Sequence, residues 1–313
     1  MKLTVGNLEV EIGKKTQGYL DIINTEIKVP CTLINGKNEG KTIVITGGTH
    51  GGEYPGIEAA IQLANDLKPE DVSGQIIIIH PLNVPAFKAK LQYIGPYDGK
   101  NLNREYPGIA TGTITQKIAY TVTTQLHSIA DFYMDLHGGD LHEALEPFVI
   151  YSNLGSEEVN RVSKEAASLM GIKYVCGSVS DNGSFGSAAI NGVPGFLAEI
   201  GQCGLWNQAE VKQYKVGVLN VLKYLEVIEG KVETLSDVVS FEKMHGLNAT
   251  YDGCWYSSVI AGQKVTEGEE VGEIRDYFGN VLGKYLAPVT GTILYTASSL
   301  AININDPIIA VGE

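Results

Sequence analysis

Apolar and polar positions change their spacing several times along the chain. Over residues 2–35 they alternate, as in Leu8-Glu9-Val10-Glu11-Ile12 and Thr25-Glu26-Ile27-Lys28-Val29. That is the period of two or three strands with half-buried faces. The runs at 41–46 and at Gln75-Ile76-Ile77-Ile78-Ile79-His80 are apolar throughout, as in strands covered on both sides. Helical spacing predicts helices over residues 55–67, 114–129, 156–170 and 207–228. The first has Pro55 in its opening turn and Ile57, Ala60, Ile61 and Ala64 on one face. The third opens on Ser156 as N-cap, with Glu157 and Glu158 complementing the helix dipole. Further strands are expected at 131–136, 147–151 and 195–201. Residues 84–112 are rich in Gly, Pro, Tyr and Asn and poorly periodic, which marks a functional connection or a disordered one.

Strands alternating with helices predict an α/β sandwich on a largely parallel sheet, with ligands bound beyond the carboxyl ends of the strands. Past residue 235 helical periodicity stops and short Gly-punctuated segments take over, which predicts a small all-β domain. The expected division is therefore 1–234 and 235–313. Ala261-Gly262-Gln263-Lys264-Val265 and Ala287-Pro288-Val289-Thr290-Gly291 resemble the barrel-sandwich hybrid of biotinyl and lipoyl carrier domains. Such carriers need a lysine at the tip of the central hairpin. The tip here, Asp276-Tyr277-Phe278-Gly279-Asn280, has none, which leaves a cover for the active site or an assembly surface.

Composition narrows the classes. At 313 residues with 44% hydrophobic and 19% charged residues, the chain is ordinary for a soluble globular protein. A formal net charge of −13 argues against nucleic acid or an anionic membrane surface as partner. No apolar run approaches a membrane span, and the first ten residues lack the apolar core of a signal peptide. Cys31, Cys176, Cys203 and Cys254 are widely spaced and read as reduced, buried residues. Cytoplasm is the expected location.

Chemistry collects at the predicted strand ends. Gly47-Gly48-Thr49-His50-Gly51-Gly52-Glu53 follows one strand, His137-Gly138-Gly139-Asp140 another, and Glu199 lies in a third, Gly195-Phe196-Leu197-Ala198-Glu199-Ile200-Gly201. Two imidazoles and a carboxylate, from His50, Glu53 and His137, make one of the standard ligand sets of a catalytic zinc, with one position left for water or substrate. Zinc acidifies its water and polarises a carbonyl. Glu199, on a buried strand end, is the candidate general base. Of the three arginines, Arg161 falls on a predicted surface helix and Arg275 in the β domain. Arg104 is thus the guanidinium suited to capture a substrate carboxylate, with Asn103 assisting.

Four segments in order, His50-Gly51-Gly52-Glu53, Asn101-Leu102-Asn103-Arg104, Asp135-Leu136-His137 and Ala198-Glu199-Ile200-Gly201, resemble the succinylglutamate desuccinylase/aspartoacylase family. The resemblance covers most of residues 40–205, and the C-terminal β domain fits it. It implies the zinc carboxypeptidase fold, a three-layer α/β/α sandwich, and hydrolysis of an N-acyl amino acid to a carboxylate and a free amino acid. It also implies one Zn²⁺ per subunit on His50, Glu53 and His137, substrate carboxylate on Asn103 and Arg104, and Glu199 as base. Members of the family typically carry a further arginine, before the Asn-Arg pair, that helps polarise the scissile carbonyl. Gln92 falls at that position here, so Lys88 or Lys90 compensates, zinc does most of the work, or the substrate differs.

Blander readings stand beside these. A lone His-x-x-Glu is usually a polar turn, and Arg104 could pair with Glu105 or Asp98 in a solvated loop. His142 and Glu143 follow His137 closely enough to support the metal ligands from outside but read rather as surface residues, and His80, His127 and His245 as structural ones. Tyr256 and Tyr277 are candidates for closing over the site from the β domain. The leading function is a zinc-dependent amidohydrolase acting on a small-molecule N-acyl amino acid, with homo-oligomerisation left open. The alternatives are a metallocarboxypeptidase acting on short peptides and a non-catalytic zinc- or ligand-binding protein.

Overall fold

A computed structural model describes residues 2–234 and 236–313. Its centre is a nine-stranded sheet. From one edge the strands run Val239–Phe241, Tyr174–Ser178, Phe148–Ser152, Gly195–Glu199, Phe132–His137, Asn38–Gly47, Ser73–Ile79, Lys28–Asn35 and Lys14–Asp21. Neighbours pair in parallel from Gly195–Glu199 to Ser73–Ile79, and again from Val239–Phe241 to Phe148–Ser152. The strand Phe148–Ser152 meets Gly195–Glu199 antiparallel, and the last two strands are antiparallel additions.

The strand period of two sends alternate residues to opposite faces, and both faces are covered. Ile43, Ile45, Ile76, Ile78 and Met134 pack with Ala59, Ala60, Leu63, Ala166, Val211 and Val218 of helices Tyr54–Asp66, Glu157–Ser168 and Gln208–Tyr224. Val44, Ile77, Ile79, Tyr133 and Leu197 pack instead with Ile118, Val122, Phe185 and Ala188 of helices Ile114–Gln125 and Ser184–Ile190. The Ile76 to Ile79 run is fully buried because successive residues feed different cores. Each such side chain contributes about 1.5–3 kcal/mol.

The predicted long helices are present within a few residues, and Ser156 caps the third by accepting from Val159 N–H at 3.3 Å. The N-terminal segment makes four strands rather than two or three, because Leu3–Val5 and Leu8–Val10 form a separate hairpin. Residues 84–112 are not structureless. They hold helix Val84–Ala89, capped by Asn83, and a 3₁₀ turn, Leu102–Arg104, capped by Asn101. Both are too short to show a period. No described helix is long and apolar enough to cross a membrane.

The C-terminal region is two small sheets around Trp255, Val271, Ile274, Ile293 and Ile309. The division at 234/235 is not clean, and Leu235 itself lies outside the described residues. Val239–Phe241 pairs with Tyr174–Cys176 and so completes the central sheet. In the other direction, Glu143–Leu145 leaves the α/β part to pair with the strand Gly291–Ala297 of the β part. All four cysteines are free, but only Cys31 and Cys176 are fully buried.

His127 is structural, as expected, and carries a measurable consequence. It is 2% exposed between the rings of Tyr106 and Tyr133, and neither ring nitrogen has a hydrogen-bond partner. Burial, only partly offset by Asp135, pulls it down to about 4. The unfolded chain therefore binds a proton here between pH 6.5 and 4 that the folded chain does not, and stability falls as pH falls through that window. At pH 5 this one group costs about 2 kcal/mol relative to pH 8. In urea unfolding, His127→Phe should narrow the pH 5 to pH 8 stability difference by roughly that amount. An unchanged difference would refute the assignment.

Candidate metal centre

Three adjacent parallel strands end together. Glu199 sits directly across from His137, and Gly47 across from Leu136. The chain then turns through Gly48-Thr49-His50-Gly51-Gly52 before helix Tyr54–Asp66 begins. Glycine is required at position 51, where a Cβ would stand 2.3 Å from the Ala86 carbonyl carbon, and at 52, where it would stand 2.2 Å from Asp140 Oδ1. The Tyr214 hydroxyl, from helix Gln208–Tyr224, accepts from Ile200 N–H at 2.9 Å and donates toward the His137 and Ala198 carbonyls. It thereby ties the two functional strand ends together.

His50, Glu53 and His137 converge as expected: one ligand atom from each lies within 4.8 Å of the others. His50 Nδ1 is 2.5 Å from Glu53 Oε1, and His137 Nδ1 is 2.9 Å from Glu53 Oε2. Oε2 makes no hydrogen bond at that distance, so these two atoms share a point of aim rather than a proton. The far nitrogens are both held. His50 Nε2 meets Asn101 Oδ1 at 2.9 Å, an oxygen that also accepts from Asn103 N–H, so Nε2 is the donor. His137 Nε2 lies in ion-pair contact with Asp135 Oδ2 at 3.1 Å, off the line of an ideal hydrogen bond. Thr46, Thr49 and Ser184 donate hydroxyls to Asp135. Both Nδ1 atoms thus face one point beside a carboxylate, and with the ring protons on Nε2 they would make a donor set that fits a divalent cation.

The electrostatics agree. Burial would lower both imidazoles, but Glu53 beside each, and Asp135 beside His137, outweigh it and raise them. Burial would raise Glu53, but the two imidazoles pull it down. The cluster draws positive charge to its centre. Glu199 goes the other way: burial and then the nearby Glu53 raise it well above the usual carboxylate range, and its Oε2 is buried without a hydrogen-bond partner. A carboxyl group so placed is suited to take and return a proton.

These residues line a cavity of about 540 Å³. Arg104 is its only Lys or Arg among the described residues. It does not pair with Glu105 or Asp98; Glu105 takes Lys100 and Asp98 takes Thr115. Arg104 donates instead to the Asn103 carbonyl at 2.7 Å. Asn103 Oδ1 accepts from Ser184 N–H, leaving its NH₂ for a ligand. Lys88 is not brought to the cluster: it is exposed near the end of helix Val84–Ala89 and does not line the cavity. Lys90 is likewise exposed, and Gln92 lines smaller neighbouring cavities.

Several lining residues were not legible as functional. Asn101 stands out in the sequence only as part of a motif. Glu143, expected at the surface, faces the cavity, while its neighbour His142 is exposed. From the β part come Met244, Asn248, Tyr295, Asn305 and Pro307, which line the same cavity. Neither Tyr277, which is 80% exposed, nor Tyr256, which lies under Arg275 with its ring 4.5 Å from the guanidinium carbon, lines it. Nothing in the local sequence of Tyr295 distinguishes it from other strand tyrosines.

Two Nδ1 nitrogens and a carboxylate at the carboxyl edge of an α/β sheet, beside Glu199, define the class as α/β proteins with a His-Glu-His cluster that could hold a metal ion. Residues 39–225 match the sequence profile described as succinylglutamate desuccinylase/aspartoacylase catalytic domain. The chain belongs to that family. It is 28% identical over 296 residues to the N-alpha-acetyl-L-2,4-diaminobutyric acid deacetylase of Halomonas elongata, covering 92% of this chain and 86% of that one. Among solved structures, it resembles the product-bound ectoine utilization protein EutE (DoeB) from Ruegeria pomeroyi, with TM-score 0.88, 25% identity, and 98% and 97% of the two chains covered. It also resembles a succinylglutamate desuccinylase/aspartoacylase from Rhodobacter sphaeroides, with TM-score 0.84, 26% identity, and 97% and 98% covered.

Proposed function

We propose that this protein is a zinc-dependent hydrolase that cleaves the amide bond of an N-acyl amino acid, releasing a carboxylate and a free amino acid. The observation that carries this reading is the convergence of His50 Nδ1, His137 Nδ1 and the Glu53 carboxylate beside the unpartnered, buried Glu199 in one cavity. His50, Glu53 and His137 would hold one Zn²⁺ per chain, which when bound polarises the acyl carbonyl and makes water a stronger acid. Asn101 and Asp135 keep the two imidazoles turned toward that point. Arg104 and the Asn103 amide take the substrate carboxylate and set the acyl group's position. Glu199 removes the proton of the attacking water and delivers it to the departing amine. Tyr295 and the rest of the β part keep bulk water out, which strengthens every charge inside.

The helix-covered sheet with this site at its edge supports the zinc carboxypeptidase type of sandwich. The Halomonas relative's activity supports a deacylase over a peptidase. A panel of Nα-acetyl amino acids against dipeptides and hippuryl peptides tests the choice. Release of amino acid from the acetyl compounds, with the peptides at least tenfold poorer in kcat/KM, is expected; the reverse order would sink the reading.

A further inference from the structure

The cavity has two unlike halves, and the order of strands in the central sheet separates them. Away from the metal centre the strands run Asn38–Gly47, Phe132–His137, Gly195–Glu199, Phe148–Ser152 and Tyr174–Ser178. His137 ends the second, Glu199 lies across from it on the third, and Phe148 across from Glu199 on the fourth. Residues two apart on a strand share a face, so Leu197 lies on the face of Glu199. Ile150, paired to Leu197, lies likewise on the face of Phe148. Phe148, Ile150 and Leu197 all line the cavity. They form an apolar floor that begins at Glu199 and leads away from the metal ligands. The strand of Phe148 is two strand spacings, about 10 Å, beyond that of His137.

Walls of the same character come from two further elements. Phe185 of helix Ser184–Ile190 and Met244 of strand Met244–Asn248 line the cavity as well. Ile150 and Met244 are only half-buried, so this surface is not sealed as core. Polar groups gather instead on the side of the metal ligands. The Tyr93 ring stands 6.4 Å from the His50 ring, and Asp140 accepts from Tyr93 N–H at 2.5 Å. Glu143 Oε2 accepts in turn from Asp140 N–H at 3.4 Å. At about 540 Å³ the whole cavity is of the size that takes a drug-sized ligand, more than an acetylated amino acid with a short side chain fills.

We infer that Phe148, Ile150, Leu197, Phe185 and Met244 form a subsite for the side chain of the departing amino acid, and that this side chain is apolar and branched or aromatic. This rests on the hydrolase reading above, which also sets the direction. Glu199 delivers its proton to the departing amine, so the nitrogen lies at Glu199 and the amino acid beyond it, on the far side from the metal. Its carboxylate is held close by. Asn103 Oδ1 accepts from Ser184 N–H at 2.9 Å, and Phe185 is the next residue. An amino acid with its carboxylate on Asn103 and Arg104 and its nitrogen at Glu199 therefore sets its side chain against Phe185 and the floor. The side chains in the relatives' names, those of glutamate and 2,4-diaminobutyric acid, are charged. Either would lose hydration against these five residues, which offer it no partner.

Nα-acetyl-L-leucine and Nα-acetyl-L-asparagine, nearly equal in shape, test it on the zinc-loaded protein, with Nα-acetyl-L-alanine and Nα-acetyl-L-2,4-diaminobutyrate alongside. The leucine compound should exceed the asparagine and alanine compounds in kcat/KM by about 10- to 100-fold, the scale of two or three methylenes in an apolar pocket. The diaminobutyrate compound should be no better than the alanine one. Met244→Gln, which keeps the side chain's length, and Ile150→Thr should each lower the leucine-to-asparagine ratio at least about threefold. A wild-type ratio near or below one, diaminobutyrate as the best substrate, or a ratio unmoved in every variant that folds overturns the subsite and leaves the hydrolase reading standing. If neither variant folds, the wild-type ratios decide alone. Turnover of none of the four would instead sink the hydrolase reading. Calorimetry with free L-leucine and L-asparagine then decides the subsite, since preferential binding of leucine supports it and equal or absent binding overturns it.

Discussion

His50→Ala should yield a folded protein that no longer retains zinc. In the wild type we expect one equivalent after dialysis against metal-free buffer; the variant should keep less than a tenth of that. Activity should fall at least about a thousandfold, because charge stabilisation by a catalytic metal is worth several kcal/mol. His50 is a better probe than His137. The outer partner of His50 is Asn101, a neutral amide that also accepts from Asn103 N–H, so removing the ring strands no charge on that side, and on the inner side Glu53 keeps His137. His137→Ala would strand Asp135, which burial would raise but which His137 and the hydroxyls of Ser184 and Thr46 hold at about 2. Losing one member of a buried pair typically costs about 3–5 kcal/mol, so that variant mixes unfolding with metal loss. Asn101→Ala should fall between, with affinity for zinc reduced about 10- to 100-fold. A His50→Ala protein that holds a full equivalent and turns over normally would mean the metal site is elsewhere.

How much of this was legible in the sequence depends on whether neighbours in space were also regular in sequence. The metal cluster was, because a parallel sheet aligns strand ends by construction. Once 41–46, 131–136 and 195–201 are taken as adjacent strands, His50, His137 and Glu199 must share an edge, and the observed registers place Glu199 across from His137. Arg104 could be singled out by the scarcity of arginine. The rest of the site is built where no period exists. Helix Val84–Ala89 spans six residues and the turn at Leu102–Arg104 three, so nothing repeats. Lys88 was a reasonable candidate by distance along the chain, but the helix that carries it turns that side chain to solvent. The place of Glu143 is hidden from the sequence for a different reason. Its three-residue strand is organised by pairing with Gly291–Ala297, some 150 residues later, and no local signal carries a contact of that range. The same crossing of the domain boundary placed Val239–Phe241 in the central sheet and Tyr295 in the cavity wall.

Glu199→Gln should separate the proton-transfer role from everything else the site does. Glutamine keeps the size and planarity of the side chain, and the residue lies at the end of a buried strand held by Tyr214 against the Ala198 carbonyl, so the fold should be unaffected. It is not one of the three groups that aim at a common point, so the variant should retain a full equivalent of zinc. Arg104 and Asn103 are untouched, which predicts KM within a few-fold of wild type. What disappears is a base: Glu199 Oε2 has no hydrogen-bond partner that the change would disrupt, and an amide at that position cannot accept the water's proton. Loss of a positioned general acid–base typically costs about 10²- to 10⁴-fold, and the loss should fall on kcat. Glu199→Asp, with the carboxylate drawn back by one methylene, should recover part of it, as a merely space-filling role would not require. Full turnover by the zinc-loaded Gln variant would remove Glu199 from the mechanism and leave the cavity without a proton carrier. Loss of both zinc and turnover would instead make Glu199 a fourth ligand, and the water position would then have to be found outside the cluster.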